Sequence, residues 1–298
     1  MKKYVITGAT GKIGKIVASE LLANGQHVTV IARNAEKLNV LADKGAIAMA
    51  GDAYDREFLA SAFKGADAVF CLLMPDMFAA DVLKEQKQIA GNFFHAVKAN
   101  NVPNVVLLSS VGAHLRKGAG IVDGLGYMEE LFLGLKDVNV LNLRPTYFME
   151  NTLGQIGTIK HMGIAGTPIS AGLKFPMVAT KDIGAVAAKR LLDLSFTDNT
   201  IEFVLGPRDI SYAEVIAIAG QAIGKPDLQY VQFPGEDAIK GMVASGFCGE
   251  DAARLMVELA NAINDGTLLN GHQRTETNSS PTTYEEFSQV FAWVFQQS

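Results

Sequence analysis

The chain is poor in the residues that mark secreted and membrane proteins. Its 298 residues include only two cysteines, Cys71 and Cys248, and Cys71 lies inside an apolar run. Two cysteines cannot form a disulfide framework, which is typical of a reducing compartment. No apolar run reaches the roughly 18 residues that span a bilayer, and glycines interrupt the apolar residues after Lys2 and Lys3 too early for a signal peptide. We therefore expect a soluble, cytoplasmic protein.

An excess of basic residues is also missing. Lys and Arg number 26 against 31 Asp and Glu, so the formal net charge is −5. A mildly acidic chain without a basic run is not expected to bind nucleic acid directly, nor a membrane surface. The histidines and cysteines show no metal-ligand spacing, so we expect no metal site. A Gly-x-Ser-x-Gly elbow and the Gly-Lys-Ser/Thr end of a P-loop are absent, which argues against a hydrolase and an ATPase.

The sequence lacks one further pattern, the catalytic pair of short-chain dehydrogenases, in which a lysine follows a tyrosine by four residues. In that pair the lysine lowers the pKa of the phenol from about 10 and orients the ribose. A tyrosinate mechanism has no support here, because none of the seven tyrosines has a lysine at that distance. The residues found there are Gly8, Phe58, Leu131, Asn151, Ile216, Pro234 and Ser288.

What is present is a regular alternation of strand-like and helix-like segments. The composition, 49% hydrophobic and 19% charged, is that of a globular protein. Short apolar runs alternate with helical spacing through the first half, which predicts an α/β fold with a doubly wound parallel sheet. Strands are predicted at 4–7, 27–32, 46–50, 66–73, 105–108 and 138–143, and helices at 12–24, 35–44, 55–64 and 79–100.

The second half of the chain has a different pattern. A glycine-rich stretch at 163–172 is predicted to be a loop, and 201–205 a strand. Helices are predicted at 149–161, 180–194 with Thr180 as the cap, 212–223, 237–245, 251–264 and 284–295. We predict that residues 1–150, with parts of 176–206, form the main α/β domain. Residues 151–298 are then expected to form a smaller, mainly helical substrate-binding lobe with a soft boundary.

The strongest motif is the glycine-rich segment between the first strand and the first helix. Glycines there permit a tight turn and a close approach of the backbone to a pyrophosphate, which the free N–H groups of the helix N-terminus then bind. The alternative is a tight turn without a ligand. The strand before and the helix after favour a nucleotide site. Its expected contacts are Gly8, Thr10, Gly11, Lys12, Ile13 and Gly14.

The residue after the second strand bears on which nucleotide binds. An acid there would hydrogen-bond the ribose 2′-hydroxyl of NAD, but the strand is followed by Arg33. A guanidinium can pair with the 2′-phosphate of NADP, and Lys37 could add a weaker contact. We therefore expect NADP(H) in preference to NAD(H). The alternative is that Arg33 is an ordinary surface charge.

Further candidates follow the later strands, because ligands bind at the carboxyl ends of the strands in this class of sheet. Asp52 could accept a hydrogen bond from adenine, or it could cap the next turn. Leu73 and Met74 could lie beside the dinucleotide, or they could pack in the core. Ser109 could touch the substrate or the nicotinamide, or it could simply end a strand.

Three titratable residues near Ser109 are interpreted as ordinary surface groups. His114 lies in a glycine-rich stretch and is expected to be a solvated loop residue. Glu129 and Glu130 are expected on the polar side of a helix at 127–136.

Several motifs together resemble the NmrA-like family of atypical short-chain dehydrogenases/reductases, over nearly the whole chain. They are Gly8-Ala9-Thr10-Gly11-Lys12-Ile13-Gly14, Gly51-Asp52, Ser109-Ser110-Val111-Gly112-Ala113-His114, Tyr127-Met128-Glu129-Glu130, Leu143-Arg144-Pro145-Thr146-Tyr147-Phe148-Met149-Glu150-Asn151 and Pro281-Thr282-Thr283-Tyr284-Glu285-Glu286-Phe287. The resemblance implies a Rossmann domain that binds NADP(H), with a small lobe over a cleft for a small-molecule substrate. It implies that Tyr147 and Phe148 approach the nicotinamide. Ser109 and Tyr147 are the catalytic candidates.

Three functions are compatible with these observations. The first is an NADPH-dependent oxidoreductase that reduces an apolar acceptor such as a quinone, because quinone reduction can proceed by positioning without a Tyr–Lys acid. The second is a non-catalytic NADP(H) sensor that acts through a protein partner, since the family includes such regulators. The third, an epimerase of nucleotide sugars, normally needs the missing Tyr–Lys pair.

Overall fold

The fold is built on one seven-stranded parallel sheet, in a computed structural model that describes all 298 residues. Its strands are β1 (Lys3–Ile6), β2 (His27–Ala32), β3 (Ile47–Ala50), β4 (Ala68–Leu72), β5 (Asn104–Leu108), β6 (Asn139–Pro145) and β10 (Asn199–Val204). Their order is β3-β2-β1-β4-β5-β6-β10, and every neighbouring pair is parallel. The prediction of a doubly wound parallel sheet is confirmed.

Helices flank the sheet and build most of the remaining structure. They are α1 (Lys12–Ala23), α2 (Asn39–Ala42), α3 (Arg56–Ala62), α4 (Val82–Ala99), α5 (Asp123–Phe132), α6 (Gln155–Met162), α7 (Thr180–Asp193), α8 (Tyr212–Ala222), α9 (Gly235–Ala244), α10 (Glu250–Asn264) and α11 (Tyr284–Gln297). None of them has both the length and the apolar character needed to cross a bilayer.

Both faces of the sheet are covered, because successive residues of a strand point to opposite sides. Tyr4 and Ile6 pack into a buried cluster with α1 and α7, whereas Val5 joins a second cluster with α3, α4 and α5. This arrangement leaves the carboxyl edge of the strands as the open side of the sheet, and the glycine-rich segment lies at that edge.

The single helix predicted at 35–44 is wrong. The structure has a 3₁₀ turn at Glu36–Leu38 followed by the short helix α2. Only Leu38 and Leu41 in this stretch are fully buried, and their spacing of three matches the period of a 3₁₀ helix. Few buried contacts therefore support a longer α-helix here.

The start of α7 also differs from the prediction. Thr180 is the first helical residue, Ala179 is the N-cap, and no cap side chain binds the helix end. The carboxylate of Glu150 instead accepts hydrogen bonds from the Thr180 N–H, at 3.0 Å, and from its hydroxyl, at 2.5 Å. A carboxylate from a distant segment thus does what a local cap would do, and it interacts favourably with the positive end of the helix dipole.

Two short sheets stand apart from the main one. One has the order β11-β9-β7, from Asp209–Ser211, Lys174–Val178 and Tyr147–Phe148, and the other pairs β8 (Ile164–Thr167) with β12 (Gln229–Gln232). The prediction of a loop across 163–172 is therefore wrong for β8. Short strands of this kind form only by pairing with distant segments, so no local pattern identifies them. The second half is mainly helical, as predicted, with these small sheets added.

Candidate active site

At two positions of the glycine-rich turn after β1, no residue larger than glycine fits. Gly8 has a φ of +63°, and a Cβ built there would lie 2.2 Å from a methyl carbon of Leu72 on β4. A Cβ on Gly14 would lie 2.4 Å from the carbonyl oxygen of Gly8. The turn is therefore tight, and it brings the start of α1 against the ends of β1 and β4.

This turn leaves a set of backbone donors without acceptors in the protein. The Gly11 N–H donates to the Gly8 carbonyl oxygen at 3.0 Å, and no side chain caps α1. The N–H groups of Thr10, Lys12, Ile13 and Gly14 have no hydrogen-bond partner. Free N–H groups at the positive end of a helix form an anion site, and a glycine cradle lets a pyrophosphate approach them. The residues present fit the phosphates of a dinucleotide.

A threonine that the sequence reasoning missed fixes the geometry beneath this turn. The Thr7 hydroxyl donates to the Phe70 carbonyl oxygen at 3.0 Å and accepts from the Leu72 N–H at 2.8 Å. It thereby joins the ends of β1 and β4, which are adjacent in the sheet. Strand order reverses between these two strands, and dinucleotides bind at such a point.

Arg33 and Lys37 lie where the sequence places them, beyond the carboxyl end of β2. Both side chains are exposed and have no hydrogen-bond or ion-pair partner. The side chain of Asn34 accepts a hydrogen bond from the Lys37 N–H at 3.2 Å and starts the following turn. Both cations are therefore free to bind an anion at this edge of the sheet.

Asp52 follows β3, the neighbour of β2, and already has a structural contact. One of its carboxylate oxygens accepts from the Tyr54 N–H at 3.2 Å, as expected of a turn-capping aspartate. The other oxygen has no partner, so the adenine interpretation and the turn interpretation are compatible with each other.

Leu73 and Met74 at the end of β4 differ in environment. The Leu73 side chain is buried in the cluster between the sheet and α4, so only its backbone is available to a nucleotide. The Met74 side chain is 57% exposed beside the open edge. Of the two, only Met74 has a side chain available for a ligand.

A cleft of about 220 Å³ lies beyond the ends of β5 and β6. It is lined mainly by apolar side chains, and no charged residue lines it. The structure brings Ser109, Tyr147 and Phe148 together here, as the sequence reasoning expected. Ser110, which follows Ser109 at the same strand end and was identified with it, also lines the cleft. The other lining residues, which that reasoning did not identify, are Val111, Ile121, Val122, Leu125, Thr146, Asn151, Phe175, Leu259, Ile263, Leu268 and Leu269.

The interpretation of Glu129 as a solvated helix residue is wrong. Glu129 is 3% exposed and forms a buried ion pair with Arg144, with the Arg144 Nε 2.9 Å from a carboxylate oxygen. It also accepts a hydrogen bond from the hydroxyl of Ser109. Its spacing from Leu125 and Phe132 on α5, four and three residues away, places it on the helix's inner face. That spacing was visible in the sequence. His114 and Glu130 are exposed, as predicted.

Tyr147 forms the polar end of an aromatic cluster beside the cleft. Its hydroxyl oxygen is 2.7 Å from that of Tyr212, which is fully buried. The Tyr147 ring meets the edge of Phe175 at 5.6 Å between centroids, and Tyr212 stacks on Tyr230 at 5.2 Å. Burial raises the pKa of the Tyr147 phenol, although the side chains of Tyr212 and Asn151 partly offset this. Tyr147 is therefore a hydrogen-bonding acid at neutral pH, and not a tyrosinate.

Comparisons with known proteins agree with this geometry. Residues 8–138 match the model of a family described as NAD(P)H-binding. The chain is 25% identical over 242 residues to festuclavine dehydrogenase of Aspergillus fumigatus, covering 80% of each chain. Its fold is similar to that of an NADPH-dependent quinone oxidoreductase of Escherichia coli, with a TM-score of 0.79, 20% identity and 96% and 99% of the two chains covered. It is also similar to triphenylmethane reductase of Citrobacter, with a TM-score of 0.79, 20% identity and 97% and 99% covered.

Proposed function

We propose that this chain, whose residues 8–138 match the model of a family described as NAD(P)H-binding, is an NADPH-dependent oxidoreductase that reduces an apolar, quinone-like acceptor. The observation that carries the proposal is the uncharged cleft beyond the ends of β5 and β6, at the same edge of the sheet as the glycine turn. The family match confirms that the chain binds NAD(P)H, as the glycine motif predicted. The activity and the acceptor are our inference.

The nucleotide would be held by groups of two kinds. The free N–H groups at the start of α1 would bind the pyrophosphate, and Arg33 with Lys37 would bind the 2′-phosphate of the adenosine ribose. No carboxylate lies between Val28 and Ala35 to repel that phosphate, which favours NADPH over NADH. When bound, the nucleotide supplies a hydride ion.

The make-up of the cleft favours an acceptor that needs no strong acid. A ketone that gains a hydride becomes a basic alkoxide and requires a nearby proton donor of matched pKa. A quinone that gains a hydride becomes a stabilised hydroquinone anion, which can take its proton from water. No Asp, Glu, His or Lys lines the cleft, so its role is to orient a flat apolar molecule and to exclude water.

The names of the two structural relatives are consistent with such an acceptor. One is a quinone oxidoreductase and the other a reductase of triphenylmethane dyes. Quinones and triphenylmethane dyes both contain conjugated rings, which suit walls of leucine, valine and phenylalanine side chains.

The test is a panel of acceptors incubated with the protein and NADPH, with oxidation followed by the loss of nucleotide absorbance. We expect turnover with benzoquinones and naphthoquinones, slower turnover with NADH, and none with simple aliphatic ketones. Tyr127→Phe tests whether this tyrosine acts as the general acid. We expect that it does not, because Tyr127 packs against the core near α4, away from the cleft. Its turnover should equal that of the wild type.

Two results would contradict the proposal. Tight NADPH binding without turnover of any acceptor would favour a nucleotide sensor. A loss of about a thousandfold in Tyr127→Phe, the scale expected for a lost general acid, would restore the tyrosinate mechanism.

A further inference from the structure

The hydroxyl groups in the cleft differ in whether their hydrogen is free to be donated. The Ser109 hydroxyl donates to Glu129, whose carboxylate is held by Arg144 and can only accept hydrogen bonds. The hydrogen of Ser109 is therefore already used within the protein. Ser109 can offer a ligand lone pairs only, which makes it unsuitable as a donor to a negative oxygen.

The hydroxyl hydrogen of Tyr147, in contrast, is not used within the protein, because Tyr147 accepts a hydrogen bond from its partner. Tyr212 is fully buried, and the Tyr147 oxygen is its hydroxyl's only hydrogen-bond partner. If Tyr147 donated to Tyr212, the Tyr212 hydrogen would be buried without an acceptor, at a cost of about 1–3 kcal/mol. Tyr212 must therefore donate to Tyr147. The Tyr147 hydrogen is then not used within the protein, and the Tyr147 side chain lines the cleft.

The fold holds this pair of phenols rigidly. In the small sheet β11-β9-β7, Tyr147 lies on β7, and Tyr212 begins α8 directly after β11. Ser211 and Glu214 form a capping box that fixes the start of α8. The Tyr230 hydroxyl donates to the Ile169 carbonyl oxygen at 2.6 Å and anchors the ring on which Tyr212 stacks. Burial raises the pKa of Tyr212 well above its usual value, so it remains a donor.

We propose that Tyr147 donates the hydrogen bond that stabilises the negative oxygen of a phenolate-like product in the cleft, and that Tyr212 is the positioning residue that orients it. This inference rests on the proposed function. It identifies Tyr147 as the group that makes the acceptor site selective for acceptors whose product carries a negative oxygen. The quinone gains two electrons and one proton as a hydride, and one oxygen becomes negative. Tyr147 binds that oxygen without losing its own proton. Water then protonates the oxygen and yields the hydroquinone.

Two other polar groups in the cleft are rivals for this role. The Ser110 side chain has no hydrogen-bond partner in the protein, and the Asn151 side chain lies close enough to the Tyr147 hydroxyl to lower the pKa of that phenol. A phenol has a pKa near 10, far below that of an alcohol or an amide, so it is the strongest of the three donors. It is also the one whose orientation a buried partner fixes.

The test uses a nitrophenol as probe, because its visible absorbance reports whether it is ionised and no turnover is needed. The nitrophenol is titrated into the protein across a range of pH, and displacement by a quinone confirms that it occupies the cleft. We expect the wild type to favour the ionised form. In Tyr147→Phe we expect the ratio of ionised to neutral bound probe to fall by about tenfold to a hundredfold, the scale of one hydrogen bond to a charged oxygen.

Three further variants separate the proposed role from general damage. Tyr212→Phe should lower the ratio by less than Tyr147→Phe. Tyr284→Phe is the matched control, because it removes another buried phenol hydroxyl, bonded to Thr152 at 2.8 Å, that does not line the cleft. It should leave the ratio unchanged. Ser110→Ala should also leave it unchanged, and thermal unfolding of all four variants checks that they fold.

The possible outcomes distinguish the proposal for Tyr147 from the proposed function. The proposal for Tyr147 is overturned if the probe does not bind, if Tyr147→Phe leaves its ionisation unchanged, or if Ser110→Ala has the larger effect. Ionisation that depends on Tyr147 in a protein that turns over no quinone would overturn the proposed function only. Quinone turnover with ionisation independent of Tyr147 would overturn this inference only.

Discussion

The nucleotide edge and the apolar cleft are neighbours on the same side of the sheet but are built in different ways. The edge consists of the seven consecutive residues Gly8–Gly14 and of side chains that directly follow β2 and β3. The cleft combines Ser109 after β5, Tyr147 on β7 and Leu269 after α10. The first is a local backbone structure, whereas the second exists only when distant segments pack. The edge should therefore respond to changes in backbone shape and charge, and the cleft to changes in its buried supports.

The largest effect is expected beneath the cleft, at the buried ion pair. Arg144→Met leaves the Glu129 carboxylate buried without a partner and should lower the free energy of unfolding by about 3–5 kcal/mol. Denaturant unfolding measures this change. The double variant Glu129→Leu/Arg144→Met should recover most of the loss, because no charge is then buried.

A matched control lies on α7. Arg190 pairs with Glu202, but these side chains are 32% and 19% exposed, so Arg190→Met should cost about 1 kcal/mol or less. Equal losses in Arg144→Met and Arg190→Met would show that burial of the ion pair is unimportant.

The next effect concerns the glycine turn. Gly11→Val should weaken nucleotide binding by about a hundredfold, because a side chain there blocks phosphate contacts worth about 1.5–3 kcal/mol each. A Cβ at Gly11 meets only the Gly8 carbonyl oxygen, at 3.2 Å, so the fold should persist. Calorimetric titration with NADPH measures the loss, and Gly157→Val, where a Cβ meets nothing within 4 Å, is the control.

Gly14→Val is expected to behave differently from Gly11→Val. Its Cβ would lie 2.4 Å from a backbone oxygen, so the turn itself must shift and stability should fall together with binding. Unchanged NADPH affinity in Gly11→Val would mean that the motif is only a turn.

A smaller effect is expected for the charge after β2. Arg33→Ala should weaken NADPH binding by about ten- to a hundredfold and leave NADH binding nearly unchanged, because only NADPH carries the 2′-phosphate. Arg254→Ala, which removes an exposed arginine on α10, should alter neither affinity. Equal weakening of both nucleotides by Arg33→Ala would refute the assignment of NADP preference to this residue.

The smallest effect is expected at His272, whose ring packs against Phe203. Burial lowers its pKa below the usual 6.5, and its Nδ1 is buried without a partner. As the pH falls through 6.5, the unfolded chain takes up a proton that the folded chain resists, so stability decreases on acidification. His272→Gln should flatten part of the stability curve between about pH 7 and pH 5. A stability curve that becomes steeper in His272→Gln would contradict the expected direction of the pH dependence.

Errors of the sequence reasoning fall where distant segments meet. The parallel sheet and the glycine turn were predictable, because strand and helix periods and glycine spacing are local patterns. Glu129 was misread because its partner Arg144 lies on strand β6, outside the helix, although the spacing of Glu129 on α5 indicated an inner position. Thr180 was misread as a cap because Glu150, its actual partner, is 30 residues away. Neither contact leaves a mark in the adjacent sequence.

The sequence by itself determined the class of fold, the nucleotide turn and the cation after β2, because each depends on residues close together in the chain. Tertiary structure alone decided which polar groups of the cleft can act. Tyr147 and Tyr212 are 65 residues apart, and Ser109 and Glu129 are 20 apart. Whether a hydroxyl hydrogen is free depends on which acceptor lies beside it after folding. Burial then determines which hydroxyl of a pair donates, since a hydroxyl hydrogen without an acceptor costs more free energy inside the protein than in water.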